Sequence, residues 1–198
     1  MKLRLCAVLL ALYAASPAQA HSPVPGIEGF YVGLLDPLSA APQALVLLTL
    51  GLLIASFDKA QAVWQLAAFS LATLAGIVLG ASLLRFDAAL LATATAAGAL
   101  AAFVPARFWI ACLLLAAVGG FYVGAVSIPD PGPVRDRIIT VSGSFVGANL
   151  AALYVFGAVV YAKEKAKAPW LGTALRTVAG GAAVVAAVLL ILHFSTGG

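Results

Sequence analysis

Residues 107–127, RFWIACLLLAAVGGFYVGAVS, carry one charge, Arg107, at their start and are otherwise an apolar run. About 20 such residues cross the hydrocarbon of a bilayer as one α-helix. Working outward, five further runs of this kind lie near 38–56, 62–84, 87–104, 138–162 and 171–193. Only 18 of 198 residues are charged (11 Lys and Arg, 7 Asp and Glu), and they gather between the runs. A water-soluble fold needs a polar shell, and this composition has little to build one from. The expected fold is therefore all-α: a polytopic membrane helix bundle of about six transmembrane helices, forming a single membrane domain over 21–198. Connections are brief, so sequential helices are expected to pack antiparallel.

The first 20 residues have a different pattern. Lys2 and Arg4 precede an apolar stretch from Leu5 to Ala15, then Pro17 and the small-residue triplet Ala18-Gln19-Ala20. That order predicts a signal peptide, 1–20, cleaved after Ala20 to leave His21 as the mature start. Cys6 leaves with it, and Cys112 remains alone in an apolar run, so the mature chain has no disulfide to make.

Charge then orients the bundle. An outside start places Lys59, Arg107, Lys163, Lys165, Lys167 and Arg176 on the cytoplasmic side, against Arg85, Arg135 and Arg137 outside. This follows the positive-inside rule and predicts a bacterial inner membrane, with both mature termini outside. Net charge is +4, and it falls to +2 without Lys2 and Arg4. No basic stripe interleaved with aromatics exists, so nucleic acid is not an expected partner. Glu28, Asp36, Asp87, Asp130 and Asp136 all fall outside, where they would concentrate cations, or simply occupy loops.

Small residues recur at spacing four: Gly29/Gly33, Gly76/Gly80, Gly120/Gly124 and Gly143/Gly147. Such pairs let helix backbones approach closely. Gly29-Phe30-Tyr31-Val32-Gly33 also recurs as Gly120-Phe121-Tyr122-Val123-Gly124, and each copy precedes an Asp-Pro step, Asp36-Pro37 and Asp130-Pro131. Both copies are expected near the outer face, just before a helix that runs inward.

Asp36 is the leading candidate for chemistry. Pro37 removes a backbone donor and disfavours helical geometry at Asp36, and Pro42 extends the disruption. A helix broken this way exposes carbonyls and side chains of the kind that build cation sites in membranes. The plainer reading is a cap on the first helix. His21, as a terminal amine with its own imidazole, is a candidate chelator of Cu, Ni or Zn, or else a free terminal residue. Gln43, Gln65, Ser142, Ser144 and Asn149 lie within spans and are expected to hydrogen-bond neighbouring helices. Gln43, Ser144 and Asn149 are the polar candidates for a pathway. No HExxH, CxxC or phosphate loop is present, so no enzyme and no tightly bound cofactor are expected.

The run Gly29-Phe30-Tyr31-Val32-Gly33-Leu34-Leu35-Asp36-Pro37-Leu38-Ser39, followed by Gly51-Leu52, resembles the HupE/UreJ family. So do the leader, the start at His21, the six spans, the Phe121 region and the stretch from Ser144-Phe145 to Gly157. These are accessory membrane proteins of hydrogenase and urease clusters, regarded as nickel permeases. The resemblance implies a multi-pass transporter with a divalent cation as cargo. Asp36 stands where the family has the His of His-Pro, and Ala40-Ala41-Pro42-Gln43 where it has Gly-Leu-Asp-His. Tyr122 and Val126 replace fourth-span histidines, and Leu153-Tyr154 the fifth-span one. Imidazole suits Ni(II), whereas oxygen ligands alone suit harder ions. Asp36 is the one ligand the resemblance transfers, as a substitute, with Glu28 and His21 as further metal candidates. Two expectations stand. One is a nickel- or cobalt-type transporter with an altered site. The other is a degenerate, non-transporting scaffold or accessory for metalloenzyme maturation. Either form is compatible with a homo-oligomer.

Overall fold

A computed structural model describes residues 28–80, 86–129, 133–166 and 168–195. The leader, His21, Arg85, Asp130-Pro131 and Lys167 lie outside the described residues. Among those described there are seven helices and no strand. They are α1 Glu28–Ser39, α2 Ala41–Ile54, α3 Lys59–Leu79, α4 Asp87–Phe103, α5 Trp109–Val126, α6 Val134–Ala166 and α7 Leu171–Ser195. By length and composition α3, α5, α6 and α7 can each cross a membrane, and α1 with α2 makes a fifth candidate bent by 74°. The apolar α4 has 17 residues, about 26 Å at 1.5 Å per residue, just short of a typical hydrocarbon core.

The beginning differs from the expected run at 38–56. The helix starts at Glu28, passes through Pro37, and breaks at Ala40, whose φ of −97° and ψ of 125° are extended. Pro37 lacks the N–H that would bond the Gly33 carbonyl, which weakens the last turn of α1 without ending it at Asp36. Pro42 then sits at the start of α2, where a missing donor costs nothing.

The short α2 is the axis of the bundle. It touches every other helix. Val46, Leu47, Leu50, Leu53 and Ile54 are all fully buried, so the helix is apolar around its whole circumference. Perimeter helices instead present large apolar side chains outward, such as Trp64, Leu71, Tyr154 and Ile191. An outside more apolar than a soluble surface is what lipid contact requires.

Packing corrects the expectation that sequential helices pair. The closest pairs are α3 with α5, α1 with α6, and α4 with α7, whereas α2 and α3 barely touch. The glycines decide this. A Cβ on Gly33 would overlap the carbonyl oxygen of Thr140, and one on Gly143 that of Phe30. A Cβ on Gly124 would overlap the carbonyl of Thr73, and one on Gly76 that of Phe121. Each copy of Gly-Phe-Tyr-Val-Gly thus meets a Thr-x-x-Gly-x-x-x-Gly segment, Thr140 to Gly147 in one case and Thr73 to Gly80 in the other. The registers correspond residue for residue, and both pairs run parallel. The second copy forms the last turns of α5.

Ends of the helices converge as an alternating topology demands. Lys163 Nζ donates to the Ala55 carbonyl at 2.7 Å, Ala106 N–H to Ser56 Oγ at 3.1 Å, and Arg176 to the Ala102 carbonyl. One end of the bundle therefore gathers Lys59, Lys163, Lys165 and Arg176; it is called the basic end below. At the opposite end the Phe86 ring lies tilted against that of Tyr122, and Glu28 shares a cavity with the start of α6.

Candidate functional site

The break between α1 and α2 has Asp36 in the last turn of α1 on one side and Gln43 in the first turn of α2 on the other. Gly33 lies against Ser144, and the Leu34 carbonyl against Gly147, which fixes α1 along the first half of α6. One turn further, Pro37 is buried and Asp36 is half-buried. Ser39 Oγ donates to the Asp36 carbonyl at 2.8 Å, closing the last turn of α1. No hydrogen bond or ion pair engages the Asp36 carboxylate among the described residues. Just past the break, Gln43 is 2 % exposed and its Oε1 has no partner. A buried amide oxygen left unbonded costs about 1–3 kcal/mol of stability.

Glu28 and Asp136 lie at the parallel starts of α1 and α6 and line a shared cavity of ≈ 220 Å³. Helix N-termini favour carboxylates, which accounts for both positions without a ligand. Among the described residues no three His, Cys, Asp or Glu side chains come together as a metal-binding group.

Other polar candidates turn away from their neighbours. Ser144 Oγ donates to Thr140 O at 3.2 Å, Asn149 Nδ2 to Phe145 O at 2.8 Å, and Ser142 Oγ to Ile138 O at 2.7 Å. Each bond lies within α6, four residues back, so the expected bonds to neighbouring helices are replaced by local ones. The glycine stripes explain why: backbones already in contact leave side chains no gap to bridge. Tyr122 packs partly buried against the core, and Leu153 and Tyr154 are exposed on the perimeter. His193 rests edge-on against Phe194 in the last turn of α7.

Gln65, also expected to bond a neighbouring helix, is instead completely buried with both amide atoms unpartnered. One feature was not legible in the sequence. A cavity of ≈ 280 Å³ at the basic end is lined by Lys163 and Arg176, which the sequence reading had treated only as orienting charges.

This architecture defines the class: an all-helical, multi-pass membrane protein with four helices long and apolar enough to cross a bilayer and a bent α1–α2 pair that is a broken span or a re-entrant loop. Compared with family models, curated proteins and solved structures, the chain matches none of them.

Proposed function

We propose that the protein is an inner-membrane permease of the HupE/UreJ type that admits a divalent metal cation through an altered site. In this reading six spans follow a cleaved leader, with α1 and α2 as one broken span and α4 as a short one. Both mature termini face outward and the basic end faces the cytoplasm, as the positive-inside rule requires. The observation that carries the proposal is the 74° break between α1 and α2 beside an unpaired Asp36 carboxylate and the buried, unpartnered Gln43 oxygen. Discontinuous helices supply ion sites in this way. Glu28 and Asp136 recruit the cation at the mouth, and Asp36 and Gln43 partly replace its water. Because both inner ligands are oxygen, the site favours ions harder than those an imidazole set selects.

The test is accumulation of nickel, cobalt and manganese in cells lacking their own high-affinity permeases, comparing the natural chain with Asp36→Ala and Gln43→Leu. Uptake that falls at least about tenfold in both variants, at equal membrane expression, supports the reading. Absence of uptake for all three ions sinks it. A scaffold or accessory role for a metalloenzyme would then be the better account, and the lack of a three-ligand group among the described residues favours that second reading. A stable partner retained through purification would identify it.

A further inference from the structure

The cavity at the basic end opens between α2, α4, α6 and α7. Its lining is mostly apolar, with Leu52, Val159, Leu175 and Ala179, and includes Lys163 and Arg176. At ≈ 280 Å³ it approaches the size of small-ligand pockets, which begin near about 300 Å³. Lys163 Nζ is held by the Ala55 carbonyl and Arg176 Nε by that of Ala102. These bonds anchor both side chains to the ends of α2 and α4, and each uses one donor. An ammonium and a guanidinium retain several more.

No acidic side chain lines this cavity. The ion pair at this end joins Lys59 to Glu164 at 2.8 Å, and among the described residues neither Lys163 nor Arg176 has a carboxylate partner. Capping of helix carbonyls accounts for one bond to each cation. It does not account for two unneutralised charges lining one mostly apolar cavity. A ligand matched to that arrangement has a compact anionic head and an apolar tail.

We propose that this cavity binds the phosphate of an anionic phospholipid, with the phosphate between Lys163 and Arg176 and the first methylenes against Leu52, Val159 and Leu175. Basic pockets between helices on the cytoplasmic face take up lipid headgroups by this chemistry. The site is independent of cation transport. It would tether the ends of α2, α4, α6 and α7 to the surrounding membrane. Free phosphate shares the head chemistry but leaves the apolar wall unused.

The full chain, purified in neutral detergent, is to be analysed by native mass spectrometry with phosphatidylglycerol, phosphatidylcholine and inorganic phosphate. Phosphatidylglycerol should be retained about tenfold better than phosphatidylcholine. Lys163→Gln and Arg176→Gln should each weaken retention about fivefold, since a basic group near an anionic surface contributes about 1 kcal/mol. Gly172 lines the same cavity, and a Cβ there would meet nothing within 4 Å. Gly172→Phe should therefore fill the mouth and abolish retention while leaving the melting temperature unchanged, which keeps the test decisive if the charge variants fold poorly. Displacement of the lipid by millimolar phosphate would assign the site to free phosphate; persistence of the lipid would assign it to the headgroup. Equal retention of the two lipids, or full retention by Gly172→Phe, overturns the proposal.

Discussion

Gly33 and Gly124 show how little room a single residue leaves in this bundle. Each position would drive a Cβ into a backbone carbonyl, and backbone cannot step aside as a flexible side chain does. Gly33→Val and Gly124→Val should each cost about 1–3 kcal/mol or more, read as earlier unfolding in graded denaturing detergent. Gly157, where a Cβ meets nothing within 4 Å, is the control. Gly157→Ala should leave stability equal or raise it by up to about 1 kcal/mol, because alanine is the better helix former. Gln65 tests the opposite trade. Gln65→Leu removes an unpartnered buried amide and should stabilise the fold by about 1–3 kcal/mol. If that variant also loses cation uptake, the amide was retained for transport.

Among the elements, α1 departs furthest from its sequence reading. The apolar run near 38–56 was visible, but the helical turns from Glu28 were not, because their stability comes from the α6 groove rather than from local pattern. Asp36-Pro37 was expected to disrupt the helix; α1 instead runs through Pro37, which is buried against the bundle, and the chain becomes extended at Ala40. The turn after α4 holds a second local strain: Ala106 has a φ of 59°, a conformation that favours glycine. Its N–H is held by Ser56 Oγ, which itself donates to Leu53 O at 2.6 Å. Ala106→Gly should relieve that strain and raise the melting temperature, by the equivalent of up to about 1 kcal/mol after the entropy of the freer unfolded chain is deducted.

At the scale of the molecule, α6 is the longest member, with 33 residues and a length of about 50 Å. It exceeds a hydrocarbon core of about 30 Å, so its last turns, with Lys163 and Lys165, project beyond the apolar slab at the basic end. Orientation is measurable because Cys112 is buried. In a Cys6→Ala, Cys112→Ala background, Lys165→Cys should react with an impermeant thiol reagent only after the cells are opened. Arg135→Cys should react in intact cells. The reverse pattern would invert the bundle and remove the physical basis for the cytoplasmic lipid site.

Hydropathy alone pointed to apolar helices suited to lipid, because 18 charges among 198 residues build little of the polar shell that water requires. The repeated Gly-Phe-Tyr-Val-Gly was equally legible as a motif, and the glycine spacing announced close helix contact. Which helices meet was not legible, since a stripe of glycines specifies an approach distance and not a partner. Only the tertiary structure decided that α1 pairs with α6 and α5 with α3, and that Lys163 and Arg176 share a cavity. Those outcomes depend on contacts between residues far apart in the chain, and such contacts are set by the shape of the whole bundle.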